Sequence, residues 1–130
     1  MSDDEVLAAL RRHWDASDAN DFATEHQIYR ADAVLEYPQS GERIRGRANI
    51  QASRTAQPNL KRFTVRRMLG GGGLWVSECI ITYDGTPTYS VSIMEFTGDV
   101  VTHETQYFAD PFPAPASRAA IAERIPDSER

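Results

Sequence analysis

Residues 61–109 read KRFTVRRMLGGGGLWVSECIITYDGTPTYSVSIMEFTGDVVTHETQYFA, and this stretch decides the fold. Four runs rich in β-branched and aromatic residues, Arg62–Leu69, Leu74–Tyr83, Thr88–Phe96 and Val100–Phe108, predict four long strands. Between them, Gly70-Gly71-Gly72-Gly73, Asp84-Gly85 and Gly98-Asp99 supply the positive φ angles of tight hairpins. The glycine run is not read as a phosphate loop. That motif joins a strand to a helix and usually ends in lysine, whereas this run leads into a strand.

Upstream the periodicity changes to helical. Val6, Leu7, Leu10 and Trp14 form one apolar stripe over Asp4–Ser17, with an acidic first turn that suits the helix dipole. Asp18-Ala19-Asn20-Asp21 supplies turn and cap residues. Phe22, His26 and Tyr29, spaced four and three apart, then predict a second short helix. Ala33–Tyr37 reads as a brief strand stopped by Pro38, Arg43–Arg45 as a possible second one, and Gly46 precedes a third helix over Arg47–Gln57. Helices first and a meander of strands afterwards give an α+β domain, with the helices on one face of the sheet. On Thr88–Phe96, Tyr89, Val91 and Ile93 alternate with Met94 and Phe96, so neither face is plainly polar. The helices cover one face; the other is expected to be covered by a second copy in a two-fold homodimer. The proline-dense segment Asp110–Pro115 leads to a possible short helix at Ser117–Arg124.

Residues 1–130 are read as one domain, with a core over 1–109 and a proline-rich tail over 110–130. The chain has one cysteine, Cys79, and its three histidines show no metal-ligand spacing, so neither a disulfide, a metal nor a cofactor is expected. With an acidic N-terminus and no long apolar run, this is the pattern of a cytoplasmic protein with no membrane association. A formal charge of −5 works against nucleic-acid binding.

Asp18–Phe22, Ile28–Val34, Tyr37-Pro38, Gly46–Ile50, Ser92–Val101 and Glu104–Pro111 together resemble the NTF2-like superfamily, in particular its SnoaL-like polyketide cyclase and ketosteroid isomerase branches. The likeness covers nearly the whole chain. It implies a cone-shaped curved antiparallel sheet capped by three N-terminal helices, a cystatin-like α+β roll with a buried cavity. Such motifs specify fold well and function poorly. The shuttle carboxylate of the isomerases would fall on Tyr37, their donor acid near Ser92 and their helix-one tyrosine on His13. Steroid isomerisation by that mechanism is therefore not expected.

Carrying over the family's strand parity points Trp75, Ser77, Cys79, Ser92, Met94, Glu104, Gln106 and Phe108 inward. His13, Trp14 or both, with His26, Tyr29 and Tyr37, join them from the helices and first strand. The resemblance thus implies an apolar, aromatic pocket for a small organic ligand, with a few polar groups. Glu104 is the sharpest catalytic candidate, because a carboxylate facing an apolar cavity has a raised pKa suited to proton transfer. Its alternatives are the opposite parity, or a structural pair with Arg66 or Arg67. His13 is a second acid, base or oxyanion donor, or a packing residue; Tyr37 is a hydroxyl to hold a carbonyl, or pocket lining. Trp14 and Trp75 are walls, and Cys79 a small buried hydrophobe. Glu36, Glu78 and Glu95 face away by the same parity, where they pair structurally or at the dimer interface.

Three functions stay open. One is a cofactor-independent isomerase, cyclase or dehydratase of the SnoaL-like kind acting on a carbonyl compound. The second is a non-catalytic small-molecule-binding protein, and the third a protein-interaction module.

Overall fold

A computed structural model describes residues 2–130. Helix α1 (Asp3–Asp18) is capped by Ser2, whose hydroxyl accepts the Glu5 amide at 3.2 Å, and its first turn carries Asp3, Asp4 and Glu5. The stripe Val6, Leu10 and Trp14 is buried, and with it His13 and Ser17.

The second helix is shorter than the spacing predicts. Helix α2 is Phe22–Glu25, a 3-10 turn follows at His26–Ile28, and Tyr29 already opens strand β1 (Tyr29–Tyr37). The His26 ring bonds the Phe22 carbonyl at 2.6 Å and so helps satisfy a helix end that stops there. Strand β2 (Glu42–Arg45) and helix α3 (Arg47–Thr55) follow; α3 starts from Gly46 at φ +92°, a conformation open to glycine.

The long strands are β3 (Lys61–Gly71), β4 (Leu74–Tyr83), β5 (Thr86–Thr97) and β6 (Val100–Ala109). They form one six-stranded sheet in the order β2-β1-β6-β5-β4-β3. All neighbours are antiparallel except β1 and β6, which run parallel, so the sheet is mixed rather than purely antiparallel. The long excursion through α3 and the meander is what permits this parallel pairing. Register shifts between Val65 and Arg67 and between Glu95 and Phe96 bend the strands. At the β3–β4 turn, a Cβ on Gly70 would lie 2.4 Å from the Leu74 carbonyl oxygen, so only glycine fits.

Helix α1 packs across β3, and α3 packs on β1. The core between helices and concave sheet face is built from Leu10, Trp14, Leu35, Ile50, Trp75, Met94 and Val101. On the convex face Tyr89, Val91 and Ile93 are half-buried, while Leu69, Leu74 and Tyr107 are exposed. The tail forms only 3-10 turns, at Ala116–Arg118 and Asp127–Glu129, in place of the helix expected over Ser117–Arg124. Ile121 there is 87% exposed, so a helix would gain no buried face. The chain returns instead to β3, where Arg66 donates to the Glu129 carbonyl at 3.0 Å.

Candidate functional site

Alternation along the strands decides what reaches the concave face. On β5 it presents Thr88, Ser90, Ser92, Met94 and Phe96, and on β6 Glu104 and Gln106, all buried. Helix α1 brings His13 and Trp14, and α3 brings Arg54, one turn beyond the fully buried Ile50 and on the same helical face.

These elements enclose a cavity of about 490 Å³, within the range of small-molecule sites. Trp14, Phe63, Ile81, Tyr83, Tyr37 and Phe108 supply its apolar walls. Trp14 packs on Phe63 with ring centroids 5.6 Å apart, and Tyr37 on Phe108 at 5.7 Å. Its polar lining includes His13, Glu25, Arg54, Lys61 and Gln106. Glu42 and Asp110 also line it and are exposed, so the cavity, expected to be buried, is open to solvent on their side.

Beneath Arg54 lies a buried charged network. The guanidinium donates to Glu104 Oε1 at 3.2 Å, to the Tyr29 hydroxyl at 2.7 Å and to Gln106 Oε1 at 3.3 Å. Tyr29 donates to Glu104 Oε1 and Ser92 to Glu104 Oε2, while Gln106 is itself fixed by a 3.2 Å bond to Ser90. Glu104 is fully buried, which alone would push its pKa up. The Arg54 charge, the Ser92 and Tyr29 hydrogen bonds and His13 outweigh that, and hold it below the ordinary carboxylate value. The raised pKa expected of Glu104 is thus reversed by an arginine from α3, rather than by Arg66 or Arg67, which face Glu78.

A second carboxylate completes the group. Glu25 is 2% exposed, with Oε1 lying 3.6 Å from His26 Nε2 and 3.9 Å from Arg54; its Oε2 is buried without a hydrogen-bond partner. Burial lowers the pKa of His13 to about 4, as it does that of His26, so both rings are neutral at pH 7. His13 Nδ1 lies 2.6 Å from the Glu25 carbonyl oxygen and therefore carries the proton, which leaves Nε2 an acceptor.

Of the residues singled out by sequence, His13, Trp14, Tyr37, Gln106 and Phe108 line the cavity. Glu104, Ser92, Tyr29 and His26 sit in the network behind it, without lining it. Trp75, Cys79 and Met94 belong to the apolar core instead of the cavity wall, and burial pushes the Cys79 thiol up to about 12. Ser77 is held by Trp14 Nε1 at 3.0 Å. Arg54, Glu25 and Lys61 escaped the sequence reading. Only Arg54 carried a signal, its i+4 spacing from Ile50.

No family model and no curated protein matches the sequence. Solved structures do. An NTF2-like protein of unknown function from Burkholderia xenovorans is 51% identical, with 97% of this chain and 99% of that one covered and a TM-score of 0.89. A candidate ketosteroid isomerase from Kribbella flavida is 24% identical over 99% and 96% of the two chains, with a TM-score of 0.88. An LEH-like epoxide hydrolase from M. tuberculosis is 19% identical over 80% and 82%, with a TM-score of 0.67. The first of these, more than half identical over essentially the full length of both chains, places the protein: it belongs to the NTF2-like family.

Proposed function

We propose that this protein binds a small, largely apolar carbonyl compound in the cavity and moves a proton on it, as SnoaL-like isomerases, cyclases and dehydratases do. The observation that carries this reading is the lining itself. Aromatic walls meet a buried set of one neutral imidazole, one unpartnered carboxylate oxygen and one fixed guanidinium. His13 Nε2 accepts the proton. Tyr37, which keeps its phenolic proton because burial raises its pKa, donates to the substrate oxygen together with Arg54. Glu104 is the counter-ion that fixes Arg54 and Tyr29, a positioning residue rather than the proton shuttle. The NTF2-like fold, shared with proteins described as an isomerase and an epoxide hydrolase, supports a small-molecule site.

The test is exchange of the α-protons of cyclohexanone in D2O, followed by NMR. Exchange above the buffer rate that is lost in His13→Gln is expected. No exchange, with no ligand retained in native mass spectrometry, would sink the reading; a retained but unchanged ligand would favour the non-catalytic binding protein. A homodimer through the convex face belongs to the same proposal, supported by Leu69 and Leu74 being more than half exposed beside the half-buried Val91 and Ile93. Sedimentation at micromolar concentration should give twice the chain mass. The buried, unpaired Cys79 fits a cytoplasmic location.

A further inference from the structure

Lys61 is the only lysine in the chain; every other Lys or Arg position, of 14 in all, is an arginine. A surface cation can be either residue, yet this one is 5% exposed and lines the cavity. Its ammonium lies over the Phe22 ring, 5.1 Å from the centroid, and among the described residues it makes no ion pair within 4.0 Å. The chemistry of the two side chains differs in one decisive way. Arginine keeps its proton in proteins, whereas a desolvated lysine gives it up and becomes a nucleophilic amine. Burial and the Arg54 charge both lower the Lys61 pKa, opposed by Glu25. Glu25, on the same cavity, carries the buried oxygen that no donor satisfies.

We propose that Lys61 is a covalent catalytic amine that forms an imine with the carbonyl group of the ligand, with Glu25 carrying the protons. This deepens the carbonyl-compound reading above and rests on it. One proton passes from the ammonium through a cavity water to Glu25 Oε2, which frees the nitrogen lone pair. That pair forms the C–N bond while the carbonyl π pair moves to oxygen, and a second N–H proton transfers from nitrogen to that oxygen. The proton held by Glu25 then joins the hydroxyl, the C–O bond breaks, and water leaves as nitrogen forms the C=N bond. Ammonium and carbonyl have become protonated imine and water, with no change of oxidation state. The iminium draws electrons from the neighbouring carbon, so the α-proton becomes easier for His13 to remove.

Reduction with sodium cyanoborohydride in the presence of cyclohexanone tests this, read by intact mass and peptide mapping. An ordinary lysine, with a pKa near 10.4, competes poorly at pH 7 against an α-amino group near 7.7–8.0. The expected result reverses that order: the peptide containing Lys61 carries the adduct faster than the N-terminal peptide of the same molecules. Lys61→Arg, which keeps the charge, should abolish this adduct, and Glu25→Gln should slow it by roughly a hundredfold with the far-UV spectrum unchanged. Equal trapping rates with and without the Glu25 carboxylate overturn its proton-carrying role. An adduct confined to the N-terminus, while cyclohexanone still raises the unfolding temperature, overturns the imine alone. Neither adduct nor thermal shift overturns both the imine and the carbonyl-binding reading.

Discussion

The two faces of the same sheet hold acidic residues in opposite ways. His103 and Glu104 are consecutive on β6, yet Glu104 lies fully buried under Arg54, while His103 on the convex face bridges Glu36 and Glu95 partly in contact with water. Glu78, also convex, faces Arg66 and Arg67 at 3.6 and 3.5 Å. In both places arginine meets glutamate. The difference is that water can replace the partner on the convex face and cannot on the concave one. Glu104, with both oxygens hydrogen-bonded, is therefore committed to its neighbours, and the free acid–base capacity of the site lies with His13, Glu25 and Lys61.

The sharpest way to break this contrast is Glu104→Leu. It leaves the Arg54 guanidinium buried without its main counter-ion, and should cost about 3–5 kcal/mol in urea denaturation. A loss below 1 kcal/mol would mean that water enters the network freely.

Acid titration comes next in size. The pKa of His13 is about 4 in the folded protein against an ordinary value of 6.5, so the unfolded chain binds the proton first as pH falls. Stability from this group is full above pH 6.5, falls between pH 6.5 and 4, and changes no further below; the loss is about 3 kcal/mol. His26 acts in the same direction and window. Glu104, whose folded pKa is lowered, adds a further loss only as pH falls below 4.5. His13→Gln should flatten the upper part of the profile, measured as the urea midpoint against pH.

The smallest effect belongs to the convex face. Glu78→Gln removes a partly exposed partner of two arginines and should change stability by less than about 1 kcal/mol. That loss should shrink further in high salt.

The strands were legible because each hairpin carries its own local signal: Asp84-Gly85, for example, takes φ of +51° and +86° as a tight turn requires. The second helix is shorter than its sequence period because Phe22, His26 and Tyr29 satisfy a helical spacing while serving three different structures, a helix, a 3-10 turn and a strand. The charged network was illegible for a different reason. Arg54 and Glu104 are 50 residues apart and Tyr29 and Glu104 are 75 apart, so no local pattern distinguishes a buried guanidinium from the arginines that stay in water. Only the helical spacing from Ile50 hinted that Arg54 points inward. The parallel pairing of β1 with β6 was likewise hidden, because it depends on how the whole meander closes.

That pairing also sets the order in which the site can come into being. β1 is held in the sheet by β2 and by β6, and the carboxylate and amide acceptors for Arg54 and Tyr29, Glu104 and Gln106, lie on β6 itself. During synthesis the helices and β1 leave the ribosome first, with their cationic and phenolic groups still in water, and the chain must run to Gln106 before their partners arrive. Contacts of such long sequence separation make the final closure slow. The Glu104 and Gln106 half of the site therefore arrives together with the closure of the sheet, late in synthesis.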